Sequence, residues 1–368
     1  MIIEAAHVFD TEKRKFMEKK ISIENGVFAG VSLSDGGDDT YVIPGLIDVH
    51  THGRCGYDIM ECDEAELSAL SVEYAKSGAT TVFPTVMTAP IKKVTEAIKR
   101  VANTNPAGAR FCGVHVEGPF ISEKKPGCHN VSDIIAPSES VLSSMIRDAS
   151  PLRVHFTIAP EKCADGLIRS VSGSATIGIG HTAANYETAM RAVNSGARSF
   201  THTFNAMSPL SHREPGVVGA ALESDAYAEF ICDGFHIAPD VISLAYRAKR
   251  NAEDKFVLIT DSLSVAGLPD GEYVMNGINF TLSGQSALRA DGVIVGSVID
   301  MLSSVKNLAA FARIPFEDAL VCATKNPAKM VGIYDTVGSI EVGKCADFVV
   351  LDNRMNIKSV YVGGKKIV

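Results

Sequence analysis

Short apolar segments alternate with helix-like segments through the middle of this chain, and that alternation limits the fold more than any other feature. The predicted strands are Thr80–Val86, Gly113–Val116, Arg153–Ile158, Ala175–Ile179, Ser199–Thr203, Ala228–Cys232 and Phe256–Thr260. The predicted helices cover about 63–77, 138–148, 186–195 and 239–250. Such alternation forms βα units, in which helices cover a parallel sheet. The number of units favours a closed α/β architecture, a (β/α)8 TIM-like barrel, over an open sheet.

Both ends of the chain differ from the middle and consist of short alternating β segments. They cover residues 1–43 and the stretch from about Gly338 onward. Because chain termini often lie close together, we predict that both ends pair into one small β-sandwich domain. The predicted organisation is residues 1–43 and 335–368 for this domain and residues 44–334 for the barrel.

Composition narrows the class of protein and of partner. The 368 residues are 46% hydrophobic and 21% charged, which supplies a sizeable core and argues against disorder. A net charge of −8 makes nucleic acid and anionic membranes poor partners. We see no signal peptide, no membrane-spanning apolar run and no CxxC pair among the eight cysteines. A cytoplasmic location with reduced thiols is therefore expected.

Histidine and carboxylate residues follow several predicted strands. His50 and His52 alternate along one strand, so both rings can point to the same side. The full set is His50, His52, Glu117, His181, His202 and Asp261. The C-terminal ends of barrel strands converge on one face, where the active site is built. Each residue alone also fits a solvated polar group, but their joint placement predicts a metal-dependent site.

The residue types suggest how such a site would work. A divalent cation lowers the pKa of its bound water to about 7 and withdraws charge from a carbonyl oxygen, as amide hydrolysis requires. Asp261 is the candidate proton shuttle between the attacking water and the leaving amine. An ordinary ligand role for Asp261 is the alternative. The donor set suits zinc, iron or other first-row ions.

These residues lie in motifs that resemble the amidohydrolase superfamily and, within it, the N-acetylglucosamine-6-phosphate deacetylases. The superfamily motifs are PGLIDVHTH at 44–52, SGATT at 77–81, Asp261 at a strand end and GSIEVGKCAD at 338–347. The motifs of the deacetylase group are HVEGPF at 115–120, KPGCHN at 125–130, GHT at 180–182, FNAM at 204–207, HREPG at 212–216, DGFH at 233–236, TDS at 260–262 and AG at 266–267. The resemblance covers nearly the whole chain and implies deacetylation of a phosphorylated N-acetylated amino sugar, within amino-sugar metabolism.

The resemblance also implies roles for the metal-site residues. Glu117, His181 and His202 would bind the principal metal, and Asp261 would be the catalytic acid and base. Some deacetylases of this group lack the first HxH pair and use one metal. Because this chain keeps His50 and His52, we expect one or two divalent cations per subunit, zinc or iron.

A substrate pocket and a homodimer are further implications of the resemblance. The implied substrate-binding residues are His129, Asn205, Ala206, Arg213, His236 and the main chain of Ile294, Val295 and Gly296. Cys128 is placed in the same set without a defined role. Arg213 offers a planar fork of donors for phosphate, although a surface ion pair with Glu214 is the alternative. The polar segment 121–130 is a candidate mobile lid.

Three alternatives stay open beside hydrolysis of N-acetyl-D-glucosamine 6-phosphate. N-acetylgalactosamine-6-phosphate deacetylases share most of these motifs and act on the epimer. A cyclic-amide hydrolase or an amino-acid deacetylase would use the same barrel, but Asn205, Arg213 and His236 argue against it. A non-catalytic barrel that serves for binding would be expected to lose ligands or the shuttle acid, and this chain keeps all six.

Overall fold

The fold begins with a strand-rich N-terminal segment. The computed structural model describes residues 1–34, 36–275 and 277–368. Its first strands are β1 (Ile2–Asp10), β2 (Lys15–Glu24), β3 (Val27–Leu33) and β4 (Asp38–Pro44). The hairpin between β2 and β3 turns at Asn25 and Gly26, whose φ angles of 50° and 81° are left-handed. An Asn-Gly pair adopts this conformation at low cost, so it sets the turn.

The barrel follows as a series of strands and helices. Its first part contains β5 (Leu46–Thr51), β6 (Gly53–Arg54), β7 (Tyr57–Asp58), α1 (Glu64–Lys76), β8 (Ala79–Met87), α2 (Ile91–Asn103), β9 (Arg110–Phe111), β10 (Gly113–Glu117), α3 (Glu139–Asp148), β11 (Arg153–Ile158), α4 (Leu167–Val171) and β12 (Thr176–Ile179). Its second part contains α5 (Tyr186–Asn194), β13 (Ser199–Phe200), α6 (Gly216–Glu223), β14 (Tyr227–Ile231), α7 (Pro239–Ala248), α8 (Ala252–Lys255) and β15 (Phe256–Ile259).

The last third of the chain completes three different parts of the molecule. A small antiparallel sheet is formed by β16 (Gly271–Met275), β17 (Ile278–Ser283), β18 (Ser286–Leu288) and β19 (Ile294–Gly296). The helices α9 (Met301–Ala312), α10 (Phe316–Val321) and α11 (Lys325–Met330) follow it. The chain ends with β20 (Phe348–Leu351), β21 (Ile357–Val362) and β22 (Lys365–Lys366).

The barrel sheet confirms the predicted (β/α)8 fold. Its strands run in the order β15-β14-β13-β12-β11-β10-β8-β5, and every adjacent pair on this path is parallel. Thr51, at the end of β5, pairs in parallel with Ser262, which follows β15, and this contact closes the barrel. The strand predicted to reach Thr203 ends instead at Phe200, because the backbone turns at His202 and Phe204 with positive φ angles.

Strands from the two chain ends form one separate sheet, as predicted. Its order is β22-β21-β20-β4-β1-β2-β3, so C-terminal β20 pairs antiparallel with N-terminal β4. A buried carboxylate ties this sheet to the barrel, since Asp347 accepts hydrogen bonds from Arg110 Nε at 2.7 Å and Nη2 at 3.2 Å. The boundaries at residues 43 and 335 remain predictions, and β4 continues through residue 44.

Apolar side chains fill the space between the barrel strands and the surrounding helices. α1 illustrates how the sequence sets these helices: Asp63 and Glu66 form a reciprocal capping box that fixes its first turn. Leu67, Leu70 and Tyr74 then face the core from that helix. Within the described residues, the cysteines are free thiols, and no helix is both long and apolar enough to cross a membrane.

Candidate metal centre

Two histidines on β5 form one side of the site. His50 is fully buried and His52 is 6% exposed. Their Nε2 atoms lie 3.3 Å apart, as expected for alternate residues of one strand that point to the same side. The Asp261 carboxylate, just after β15, approaches both: Oδ1 lies 3.3 Å from His50 Nε2 and 3.2 Å from His52 Nε2. These three residues form the first cluster that could hold a cation.

A second cluster faces the first and is centred on Glu117, the last residue of β10. Glu117 Oε1 lies 3.2 Å from His181 Nε2 and 2.9 Å from His202 Nε2, and these two nitrogens are 2.9 Å apart. Glu117 Oε2 lies 3.1 Å from His52 Nε2. The glutamate therefore lies between both clusters, with one carboxyl oxygen near a histidine of each.

Positive backbone φ angles place three of these side chains. His181, His202 and Asp261 have φ angles of 45°, 29° and 49°, in the region that costs non-glycine residues about 1–3 kcal/mol each. All three follow barrel strands directly, where the chain leaves the sheet. The surrounding hydrogen bonds hold these turns, because Thr182 N donates to Ala206 O at 3.0 Å and Ser297 N donates to Asp261 O at 2.9 Å.

The second cluster fits a small divalent cation by its spacing and by the orientation of its rings. Ligands about 2.0 Å from a tetrahedral zinc ion are about 3.3 Å apart, close to the spacing of Glu117, His181 and His202. His181 Nδ1 donates a hydrogen bond to Lys125 O at 2.9 Å, which leaves the Nε2 lone pair directed toward the site. The donor set of nitrogens and carboxylates also suits such ions.

The charges of the site shift the pKa values of its groups in opposite directions. Burial raises the pKa of Asp261, whereas the nearby His50 and His52 lower it. The effect of the histidines is larger, so the pKa of Asp261 falls to about 2. Burial lowers the pKa of His52, but hydrogen bonds with Asp261 and Glu117 outweigh it and raise the value to about 9. Burial brings the pKa of His181 down to about 4, so this ring is neutral at pH 7. Asp261 therefore remains ionised, as a group that accepts a proton must be.

A cavity of about 150 Å³ opens beside these clusters. Five of the six predicted metal-site residues line it, and His50 lies buried behind His52. Most predicted substrate-binding residues line it as well: Cys128, His129, Asn205, Ala206, His236, Ile294, Val295 and Gly296. Arg213 does not belong to this lining and lies on an exposed segment before α6.

Polar contacts position three of the predicted substrate residues, His236, His129 and Cys128. His236 Nδ1 donates to Asp233 Oδ2 at 2.6 Å, and this bond leaves Nε2 as the ring nitrogen that can accept from a ligand in the cavity that His236 lines. His129 Nε2 lies 3.5 Å from Glu117 Oε2, and His129 belongs to a possible cation cluster with Glu117 and His181.

The thiol of Cys128 is held in the cavity wall. Cys128 Sγ donates to Val295 O at 3.6 Å, and burial raises the pKa of its thiol to about 12. The thiol is thus protonated, not a nucleophile.

The sequence patterns gave no role to several polar residues around the site, although His115 and Asp233 lie in the quoted motifs HVEGPF and DGFH. His115, His155 and Glu229 are fully buried on barrel strands, and Asp233 positions His236. A glutamate inside the apolar segment YAEFI at 227–231 is the one signal that could have indicated Glu229, since charged residues rarely occupy buried strands without a reason.

Known proteins match the chain over most of its length. The Amidohydrolase family model matches residues 41–367. An N-acetylglucosamine-6-phosphate deacetylase of Bacillus subtilis (strain 168) is 35% identical over 325 residues, which cover 86% of this chain and 81% of that protein. An N-acetylgalactosamine-6-phosphate deacetylase of Escherichia coli O157:H7 is 30% identical over 368 residues, which cover 96% of each.

A solved structure is similar over the whole chain. It is a variant of the N-acetyl-D-glucosamine-6-phosphate deacetylase of Mycobacterium smegmatis in complex with N-acetyl-D-glucosamine 6-phosphate. The TM-score is 0.91 at 26% sequence identity, and the match covers 100% of this chain and 99% of that one. The similarity therefore extends from the barrel to the sheet formed by both chain ends.

Proposed function

The chain belongs to the amidohydrolase family, in its group of amino-sugar-phosphate deacetylases, and we propose that it hydrolyses the acetamide of N-acetyl-D-glucosamine 6-phosphate to D-glucosamine 6-phosphate and acetate. The observation that carries this proposal is the convergence of Asp261 with both histidine clusters on one cavity. Identity to deacetylases of two such sugar phosphates supports the substrate class.

We assign the metal to residues whose donor atoms already face one another. Glu117, His181 and His202 would hold the principal cation, and His50 and His52 would hold a second one. A cation bound there acidifies water and polarises the acetyl carbonyl. Zinc and iron both suit these ligands.

Asp261 would transfer the proton in this reaction. Its carboxylate lines the cavity and, with a pKa of about 2, is ionised at neutral pH. It would accept a proton from the attacking water and deliver it to the nitrogen of the leaving amine. Because Asp261 N donates to His50 O at 2.8 Å, the position of this group is fixed relative to β5.

The sugar would occupy the cavity beside the metal clusters. His129 and His236 are suited to bind its acetyl and hydroxyl oxygens, and Asp233 holds the His236 ring in place. Asn205, Ala206 and the main chain of 294–296 form further parts of the wall. We assign the phosphate to Arg213 because of the family resemblance and because a guanidinium group matches the geometry of a phosphate. Arg213 lies on an exposed segment outside the cavity lining, where it can reach solvent-facing groups of a ligand.

The galacto epimer is the second candidate substrate, because the Escherichia coli O157:H7 relative that acts on it covers nearly the whole chain. Steady-state kinetics on both 6-phosphates and on unphosphorylated N-acetylglucosamine would test the proposal. We expect the highest kcat/KM for N-acetyl-D-glucosamine 6-phosphate. A higher value for the galacto compound would reverse the assignment, and equal values with and without phosphate would remove the phosphate pocket.

A further inference from the structure

Glu229 on β14 is a buried acidic residue that the proposed reaction does not use. It is 0% exposed and lies in the barrel interior. Its carboxyl oxygens approach two histidines on other strands: Oε2 lies 3.9 Å from Nδ1 of His50 on β5, and Oε1 lies 3.5 Å from Nε2 of His155 on β11. Neither β5 nor β11 is adjacent to β14 in the sheet, so these contacts cross the interior.

The carboxyl group of Glu229 and the ring of His50 are each incompletely paired. Among the described residues, neither carboxyl oxygen of Glu229 has a hydrogen-bond partner, and Nδ1 of His50 has none. Burying such groups without partners is costly, and native proteins rarely do so without a functional reason. These two incompletely paired groups face each other, so a small shift of either side chain would satisfy both.

His181 and His50 differ in the group that faces Nδ1 of each ring. His181 is oriented by main chain, since its Nδ1 donates to Lys125 O. His50 presents Nε2 to the metal site, where Asp261 and Glu117 lie 3.3 and 3.4 Å away, and its Nδ1 faces Glu229 on the other side. A histidine that binds a metal through one nitrogen commonly donates its other N–H to a carboxylate, which fixes the ring and strengthens the ligand.

We propose that Glu229 is the positioning residue of the His50–His52 metal position: its carboxyl group accepts a hydrogen bond from His50 Nδ1–H and so directs Nε2 toward the cation. The inference rests on the proposed function, because it assigns a cation to that position. A carboxylate beneath the ligand would also offset part of the charge that a second cation brings into a buried site.

His155 would play a different part. Its Nε2 lies 3.3 Å from Ser199 Oγ and 3.5 Å from Glu229, and its ring stacks on His115 at 4.5 Å between centroids. His155 thus approaches Oε1, the carboxyl oxygen that does not face His50. A substitution of His155 therefore supplies a matched control, because it removes the other neighbour of Glu229 and leaves His50 in place.

The test is a titration of the metal-free full-length chain with Zn²⁺ against a chromophoric chelator. We expect the wild-type protein to bind two equivalents. Glu229→Met keeps the side-chain size and removes the acceptor, so the weaker equivalent should lose about 10- to 100-fold in affinity while the tighter one changes less than about threefold. His155→Leu should change both by less than about threefold, and Glu229→Gln should fall between wild type and Glu229→Met.

Thermal unfolding of the metal-free proteins separates positioning from a purely structural role. Removal of an incompletely paired buried carboxyl group should leave the Tm of metal-free Glu229→Met equal to or above that of wild type. In a His50→Asn background, Glu229→Met should cause no further loss of metal affinity, because the residue acts through that ring.

Three results would overturn the proposal: unchanged affinity for both equivalents in Glu229→Met, an equal loss at both together with a lower metal-free Tm, or a wild-type protein that binds a single equivalent. Acetate release is measured separately on the same samples. A wild-type protein that binds two equivalents and releases no acetate would contradict the proposed deacetylation, while the affinities would still decide the role of Glu229.

Discussion

Asp261 contacts His50 twice: its main-chain N–H donates to His50 O at 2.8 Å, and its carboxylate Oδ1 lies 3.3 Å from His50 Nε2. The first contact belongs to the closure of the barrel, next to the pairing of Thr51 with Ser262. The second places an acid beside a candidate metal ligand. Barrel closure therefore also fixes the candidate proton shuttle relative to the metal site.

Replacement of Asp261 by Asn should remove turnover and keep the principal metal. The amide has nearly the same shape but cannot accept the proton, and loss of a general acid and base costs about 100- to 10,000-fold in kcat. Glu117, His181 and His202 are unchanged, so the tighter metal equivalent should remain. Acetate release and metal content measured on one preparation check this, and full activity in the variant would reject the assigned role.

We expect the orientation of the His181 ring to require a glycine at position 127, because a side chain there would contact the ring. A Cβ at this position would lie 3.0 Å from His181 Cε1, and the residue has a φ of +58°. Gly127→Ala should displace the ring from Lys125 O and weaken the principal metal by about tenfold or more. The measurement is Zn²⁺ affinity of the tighter equivalent.

Gly166→Ala is the matched control for that substitution. Gly166 has a φ of +79°, and a Cβ added there would have no neighbour within 4 Å among the residues that the structure describes, so the change carries a similar backbone cost without the clash. Both variants should lose the stability that the left-handed backbone costs a non-glycine residue, but only Gly127→Ala should lose metal affinity. Equal affinities in the two variants would show that the loop does not orient His181.

Lys249 should make stability depend on pH in the alkaline range. Burial lowers the pKa of this amine from 10.5 to about 8, and its Nζ donates to Ser224 O at 2.6 Å. Between these pH values the unfolded chain binds more protons than the folded one, so stability rises as pH increases from about 8 to about 10.5. Below pH 8 the amine is charged in both states, so the free energy of unfolding is lowered by the full cost of holding that charge in a buried position.

The comparison with Lys249→Met isolates this effect, because other titrating groups are common to both proteins. Relative to the variant, wild type should gain about 1–3 kcal/mol of unfolding free energy between pH 7.5 and 10.5. Denaturant unfolding at the two pH values measures the difference. The exposed Lys366→Met variant should follow wild type, and a difference for Lys249→Met that does not change with pH would refute the prediction.

Asp347 should stabilise the attachment of the terminal sheet to the barrel. It is 4% exposed and accepts two hydrogen bonds from Arg110 and one from Gly363 N. Asp347→Ala removes the partner of the half-buried Arg110 guanidinium and should lower the free energy of unfolding by about 1–3 kcal/mol, less than for a fully buried pair because solvent screens the exposed part. Lys76→Ala, which removes an exposed pair with Glu73, should leave Tm unchanged, and equal effects of both would contradict this account.

The fold could be predicted largely because its signals are local. Apolar strands and amphipathic helices repeat along the chain, and the HxH pair of His50 and His52 requires only the two-residue period of a strand. The C-terminal ends of parallel barrel strands meet on one face, so the placement of Glu117, His181 and Asp261 near each other followed from topology.

Features that depend on long-range packing could not be predicted from the patterns. The sheet formed by β16–β19 follows β15 as an insertion, and nothing in a barrel repeat requires it. A role for Glu229 can be recognised only once the fold brings β14 opposite β5, so that its carboxyl group faces His50 across the barrel interior. The turn at His202 ended its strand early because the backbone adopts a positive φ, which local propensity does not indicate.

The most direct test of the whole account measures bound metal per chain and acetate release from N-acetyl-D-glucosamine 6-phosphate on one sample, before and after chelation. We predict that chelation removes the metal and the activity together, and that added Zn²⁺ or Fe²⁺ restores both in proportion. Undiminished acetate release from the metal-free chain would contradict the claim that His50, His52, Glu117, His181 and His202 form a catalytic metal centre.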